Sequence, residues 1–244
     1  MDGTIQTISI TNLAIAFIPL IPVFAILIYW SLGVKDALHS LLRMLGQLLI
    51  IGYLLGFIFQ ANHFSIIVLV LAIMVLSASW IALRTVEMHR RALYFSTLTS
   101  VLLGGGFVLW IVTQGVLDLS PWYQAQYMIP LAGMIFANSM NCVSLCAERI
   151  HTETQRGTEF TKARNLAFHA ALIPVINSLF AVGLVSLPGM MTGQILSGVS
   201  PLIAARYQIV VMCMIFSSAG LSTACFLFLT RKYFSEKITI KTND

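Results

Sequence analysis

The stretch NLAFHAALIPVINSLFAVGLVSLPGMMTGQILSGVSPLIAA, from Asn165 to Ala205, contains no Asp, Glu, Lys or Arg. About twenty apolar residues cross the hydrocarbon core of a bilayer, so the run is too long for one membrane helix. It is also interrupted at Leu187-Pro188-Gly189 and followed by Gly193 and Gly198, which makes it too broken for a plain helical hairpin. The pattern predicts a membrane helix ending in a re-entrant or unwound element. Backbone without helical hydrogen bonds survives at membrane depth only where protein buries it or a wet cavity lines it. The break is therefore the first place to look for function.

The rest of the chain has the same character. Its 244 residues are 58% hydrophobic and 9% charged, with a mean hydropathy of +0.89. That composition excludes an ordinary soluble domain and predicts one all-α, polytopic membrane domain over residues 1–244. Apolar runs of spanning length fall at about Asn12–Trp30, Leu41–Phe59, Ser65–Leu83, Ser96–Gln114, Met128–Cys146, Leu166–Val185 and Tyr207–Leu229, which predicts about seven transmembrane helices. With the N-terminus outside and the C-terminus inside, 13 of the 14 Lys and Arg residues are cytoplasmic and only Arg206 is not. The positive-inside rule selects that threading. The basic residues sit between apolar runs and form no stripe, so a nucleic-acid partner is not expected despite the pI near 9.2. Asp2 is the only charge before Lys35, so the first run lacks the basic flank of a secretory signal and reads as a retained helix.

Active transport needs an energy source. None of Lys35, Lys162, Lys232, Lys237 and Lys241 follows a glycine, so the P-loop that cradles nucleotide phosphates is absent and no ATP-binding domain is expected. Ion-coupled carriers place charged relays within their spans, and the centres of these spans hold none. The chain reads as a pathway without an engine, powered by a partner. Its longest predicted cytoplasmic segment, Ala147–His169, carries charges of both signs in two short helical patterns about Gly157 and is the expected docking segment.

Four blocks, ALIPVINS (Ala171–Ser178), VGLVSLPGMMTGQILSG (Val182–Gly198), SPLIAARYQIVV (Ser200–Val211) and SSAGLST (Ser217–Thr223), resemble the membrane subunits of FetB-type ABC transporters. These are bacterial metal (iron) exporters with plant relatives linked to aluminium tolerance. The resemblance implies a permease subunit in a bacterial inner membrane, paired as a homodimer with a separate ATP-binding subunit that holds the ATP. It implies coupling through Arg156, Gly157, Glu159, Lys162 and Arg164. Where the family often has an acidic residue and a lysine, this chain has Asn177 and Phe180, so an ion pair is lost as a unit. The predicted coupling segment is also shorter than the family's.

With no charge to recognise cargo, specificity falls to neutral groups. Met134, Asn138, Asn141 and Cys142 share one face of the fifth span, a pattern that fits either interhelical hydrogen bonding or a pathway lining. The sixth span offers Asn177, Ser178 and Ser186, leading to Pro188, Gly189 and Met190. Pro188 and Gly189 are expected to release backbone carbonyls. Met190 and Met191 are adjacent and point about 100° apart on a helix, so packing is the expected role for both. Gly52 with Gly56, Gly133 with Ala137, and Gly104-Gly105-Gly106 mark expected close helix approach. His63, His151 and His169 have no metal-ligand spacing, the four cysteines lie within helices, and no nucleophile-base pair suggests an enzyme. The sequence thus favours ABC-powered metal export, with transport of an organic solute such as a nucleotide sugar, or a non-transporting scaffold, as alternatives.

Overall fold

Prolines and glycines decide where the apolar runs of this chain break into helices. The computed structural model describes residues 8–60 and 63–235, so Asp2, Lys237, Lys241 and positions 61–62 of the expected first external turn lie outside the described residues. Nine α-helices are present among them: α1 (Ile10–Ile15), α2 (Leu20–Tyr29), α3 (Val34–Gln60), α4 (Phe64–Ala82), α5 (Arg90–Trp110), α6 (Ala125–Gln155), α7 (Phe160–Ala181), α8 (Gly189–Leu196) and α9 (Pro201–Leu229). A 3-10 helix, Arg84–His89, joins α4 to α5, and a π-helical turn, Ile111–Val116, extends α5.

Six segments are long and apolar enough to cross a membrane: Ile10–Tyr29, Val34–Phe59, Phe64–Ala82, Arg90–Val116, Ala125–Gln155 and Pro201–Leu229. Helix α7 adds a seventh long segment, with 22 residues, and Lys162 and Arg164 in its first turns lower its average apolarity. The chain is an all-α, multi-pass membrane protein. The first expected span is not one helix. It divides at Pro19, which caps α2, since a proline ring cannot continue a preceding helix.

The chain divides into two compact units, one holding α1 to α3 with Leu196–Gly198 and the other holding the remainder. In the second unit α5, α6 and α9 meet along a seam of small residues. A Cβ added to Gly104 would lie 2.5 Å from the Ser222 backbone nitrogen, and one on Gly105 would lie 2.9 Å from Ile135 Cγ2. Both glycines are therefore required by close approach, one toward α9 and the other toward α6. Across the seam Ser222 Oγ donates to Ser139 Oγ at 3.1 Å, and Ser139 Oγ donates to the Ser218 carbonyl at 3.3 Å. Gly133 makes an ordinary contact with Met74, whereas Gly52 and Gly56 have nothing within 4 Å and mark no close approach here.

The core thickens toward one end of this unit, where Leu83, Val86, Ile150, Ala163, Phe226 and Phe234 are buried together. The same end gathers the rings of His89, His151 and Tyr233, with centroids 4.9 and 5.8 Å from His89. Arg84, Arg90, Arg156 and Arg231 belong to the segments that meet there. Arg90 folds back over Trp80, its guanidinium carbon 3.8 Å from the ring centroid and its Nη2 2.6 Å from the Trp80 carbonyl.

Candidate functional site

In the half of the unit away from that basic end, α6, α7 and α9 border an open-sided cavity of about 380 Å³. Helix α6 contributes Met134, Asn138, Asn141, Cys142 and Leu145, whose spacing of three and four residues places them on one stripe. Pro174, Val175 and Ser178 come from α7, and Gln208, Val211, Met212 and Ile215 from α9. Pro174 cannot donate to the carbonyl one turn earlier, which loosens α7 beside the cavity. Ser178 Oγ returns a hydrogen bond to the Pro174 carbonyl at 2.9 Å.

The expected break forms a further wall of the cavity. Helix α7 ends at Ala181, whose carbonyl accepts from the amides of Leu184, Val185 and Ser186. Gly183 adopts φ +84°, a left-handed conformation that side chains resist, and its amide donates to the Ser186 carbonyl at 2.9 Å. The tip of this turn is apolar and open, with Leu184 91% exposed and Val185 84% exposed. After it, Pro188 leads into α8, and its carbonyl accepts from the Thr192 amide at 3.0 Å and from Thr192 Oγ1 at 3.1 Å. The Pro188 carbonyl is thus not released to a ligand, which corrects the expectation from sequence: a short helix begins at the break and consumes it. A Cβ added to Gly189 would meet nothing within 4 Å, so this residue faces open space at the cavity wall.

Of the residues expected on the pathway, Asn138, Asn141, Ser178, Ser186, Pro188, Gly189 and Met190 all line this cavity, and Asn177 does not. Asn177 is exposed next along α7, as is Phe180. Met190 and Met191 diverge as adjacent helical residues must, and Met190 alone of the two reaches the lining. Asn138 Nδ2 donates one N–H to the Met134 carbonyl at 2.8 Å, which leaves its second N–H and its oxygen on offer.

Gln208 is the lining residue that pattern reasoning missed. It is 4% exposed, and its Oε1 has no hydrogen-bond partner. A buried acceptor left unpaired costs about 1–3 kcal/mol, so a polar group kept there calls for a reason. Among the described residues no Asp, Glu, His, Lys or Arg lines the cavity, and no group of three His, Cys, Asp or Glu is placed to hold a metal ion.

The expected docking segment has a different form from the two short helices read in the sequence. Helix α6 runs unbroken for 31 residues to Gln155, about 46 Å at 1.5 Å per residue, and α7 begins at Phe160. Only Arg156–Glu159 lies between them. Gly157 turns the chain with φ +76°, its amide donating to the Thr154 carbonyl while the Thr158 amide donates to the Glu153 carbonyl. That pair of bonds is a Schellman closure, which satisfies the last carbonyls of a helix. Glu153, only 5% exposed, fixes the corner: it pairs with Arg149 at 2.8 Å and accepts from Thr158 Oγ1 at 2.9 Å. Arg156, Gly157, Glu159, Lys162 and Arg164 are all exposed around this corner.

The profile of the Uncharacterised protein family (UPF0014) matches residues 10–234. The chain is 34% identical over 249 residues to the protein of Escherichia coli (strain K12) named Probable iron export permease protein FetB, covering 94% of each. It is 34% identical over 243 residues to a UPF0014 membrane protein of Synechocystis, covering 85% of this chain and 92% of the relative. It is 30% identical over 225 residues to Protein ALUMINUM SENSITIVE 3 of Arabidopsis thaliana, covering 85% of this chain and 81% of the relative. No solved structure gives a significant match.

Proposed function

The chain belongs to the Uncharacterised protein family (UPF0014), and from that premise we propose that it is the membrane permease subunit of an ABC exporter of metal ions such as iron. The observation that carries the reading is the full-length similarity to a protein named as an iron export permease, with 94% of each chain covered. The lack of a P-loop lysine in this sequence supports placing ATP binding and hydrolysis on a separate subunit. Two permease copies and two ATP-binding subunits form the working unit, in a bacterial inner membrane.

The exposed corner Arg156, Gly157, Glu159, Lys162 and Arg164 is the docking surface for that subunit. Helices α6 and α7 meet at this corner and both wall the cavity, so a push on the corner is transmitted along rigid helices to the pathway. Alternating access then means relative movement of α6, α7 and α9 about the cavity, with the turn before Pro188 and Gly189 as its gate. A second reading, export of an organic solute, is favoured by one observation, the lack of any ionisable group other than the Cys142 thiol among the described lining residues.

The test is purification of the tagged chain in mild detergent with whatever stays bound. The proposal expects a stoichiometric ATP-binding subunit whose hydrolysis rises when iron is added. Recovery of the chain without an ATPase, under conditions that preserve other ABC complexes, would sink it. An ATPase stimulated by neutral solutes and indifferent to iron would select the second reading.

A further inference from the structure

We infer that a groove between the start of α7 and the end of α9 holds one anionic phospholipid, with its phosphate on Arg164 and Arg231 and an acyl chain along the neighbouring phenylalanines. The inference goes beyond the transport reading and needs only that the chain lies in a membrane.

Two stripes build the groove. On α7, Phe160, Arg164 and Phe168 recur every fourth residue and share one face. On α9 and just beyond its end, Ala224, Leu227, Phe228 and Arg231 recur every three or four residues and share another. Between the stripes lies an open-sided cavity of about 460 Å³, the size of a small-molecule site, with no lining residue in common with the cavity walled by α6, α7 and α9. Helix α7 begins and α9 ends at the basic end of the bundle, so the positive-inside rule puts the mouth of the groove at the inner leaflet. Phe168 lies one turn, about 6 Å, deeper than Arg164, and Phe228 and Ala224 lie deeper than Arg231. Charge therefore sits at headgroup level and aromatic surface at acyl level.

Charge complementarity identifies the occupant. Other arginines at this end have partners: Arg90 lies over Trp80, and Arg149 and Arg156 pair with Glu153. Arg231 has no hydrogen bond or ion pair among the described residues, and Arg164 bonds only the neutral Asn165 Oδ1, at 3.0 and 3.2 Å. No Asp or Glu is among the described lining residues. Two guanidiniums bordering one groove repel each other, and a phosphate that accepts from both removes the repulsion. Free phosphate would engage the guanidiniums and leave Phe160, Phe168 and Phe228 uncovered, whereas a phospholipid brings a chain that covers them. The inner leaflet supplies such lipids, and basic pockets between membrane helices bind their headgroups.

The test titrates the full chain, delipidated in a neutral detergent, with dioleoylphosphatidylglycerol or dioleoylphosphatidylcholine and counts bound lipid by native mass spectrometry. Phosphatidylglycerol is expected to bind saturably, and phosphatidylcholine about tenfold more weakly. Arg164 also belongs to the proposed ATPase corner, so the deciding variant is Arg231→Gln, which lies outside it. Arg231→Gln is expected to weaken phosphatidylglycerol binding about tenfold, while Lys232→Gln, the same charge removed one residue away and outside the groove, changes it by less than about twofold. Ala224→Trp keeps both guanidiniums, fills an exposed position in the acyl part of the groove, and is expected to abolish saturable binding. Equal losses from Arg231→Gln and Lys232→Gln would mean diffuse surface charge and overturn the inference, as would indifference to Ala224→Trp. Displacement of the lipid by an equal concentration of glycerol phosphate, the headgroup without chains, would also overturn it and leave a soluble-phosphate site. These readouts involve neither iron nor an ATPase, so their failure leaves the transport reading standing.

Discussion

Helices α6 and α9 each have two personalities. On the face they share with α5 they are joined by glycine contacts and by the Ser139, Ser218 and Ser222 bonds, every hydroxyl of which is used. On the face they share with α7 they hold open a cavity in which a buried polar atom, Gln208 Oε1, has no partner. Small side chains let helices touch, while long amides and thioethers keep them apart. The same two helices thus supply a tight seam on one face and a cavity wall on the other.

Substitutions on the two faces should therefore have opposite consequences. The largest effect is expected at Gly104. Gly104→Val drives a side chain into backbone of α9 at 2.5 Å, where nothing flexible can yield, and should cost at least about 3 kcal/mol, seen as loss of folded protein on thermal denaturation in detergent. Gly189→Trp is the converse, expected to leave the melting temperature unchanged while abolishing export, because its surroundings are empty. Wild-type export in a well-folded Gly189→Trp protein would break the comparison.

Smaller effects sharpen it. Ser139→Ala strands Ser222 Oγ and should destabilise by about 1 kcal/mol with cargo binding unaltered. Gln208→Leu removes an unpaired buried acceptor and should raise stability by up to about 1 kcal/mol, measured as a later thermal transition. Gly157→Ala, at the exposed corner, forces a side chain into a left-handed conformation and should cost about 1 kcal/mol, measured as an earlier thermal transition.

Much of this was readable before any fold was known, because length and apolarity decide membrane helices almost alone. The triple glycine of α5 signalled close packing, and two of its members face different partners, something only the helix arrangement reveals. The asparagine stripe of α6 and the Ser-Leu-Pro-Gly break pointed to residues that share one cavity, since helical spacing and a broken run are local signals. Gln208 gave no such signal. It is a lone amide in an apolar run, and its significance is an unmet hydrogen bond that exists only once α6, α7 and α9 are assembled. The charged stretch after the fifth predicted span misled in the other direction: it reads as two short helical pieces beyond the span, yet Glu153 sits buried in the corner and binds Arg149 and Thr158, and α6 runs on through it to Gln155. Pro19 broke a run that hydropathy averaged into one span.

The most direct test of the cavity as the cargo route is iron efflux from metal-loaded cells expressing the Gly189→Trp chain, normalised to membrane-inserted protein. The cavity account predicts wild-type protein levels with efflux reduced to that of cells lacking the chain. Efflux at the wild-type rate from a well-inserted Gly189→Trp protein would contradict it and send the search for the pathway elsewhere in the fold.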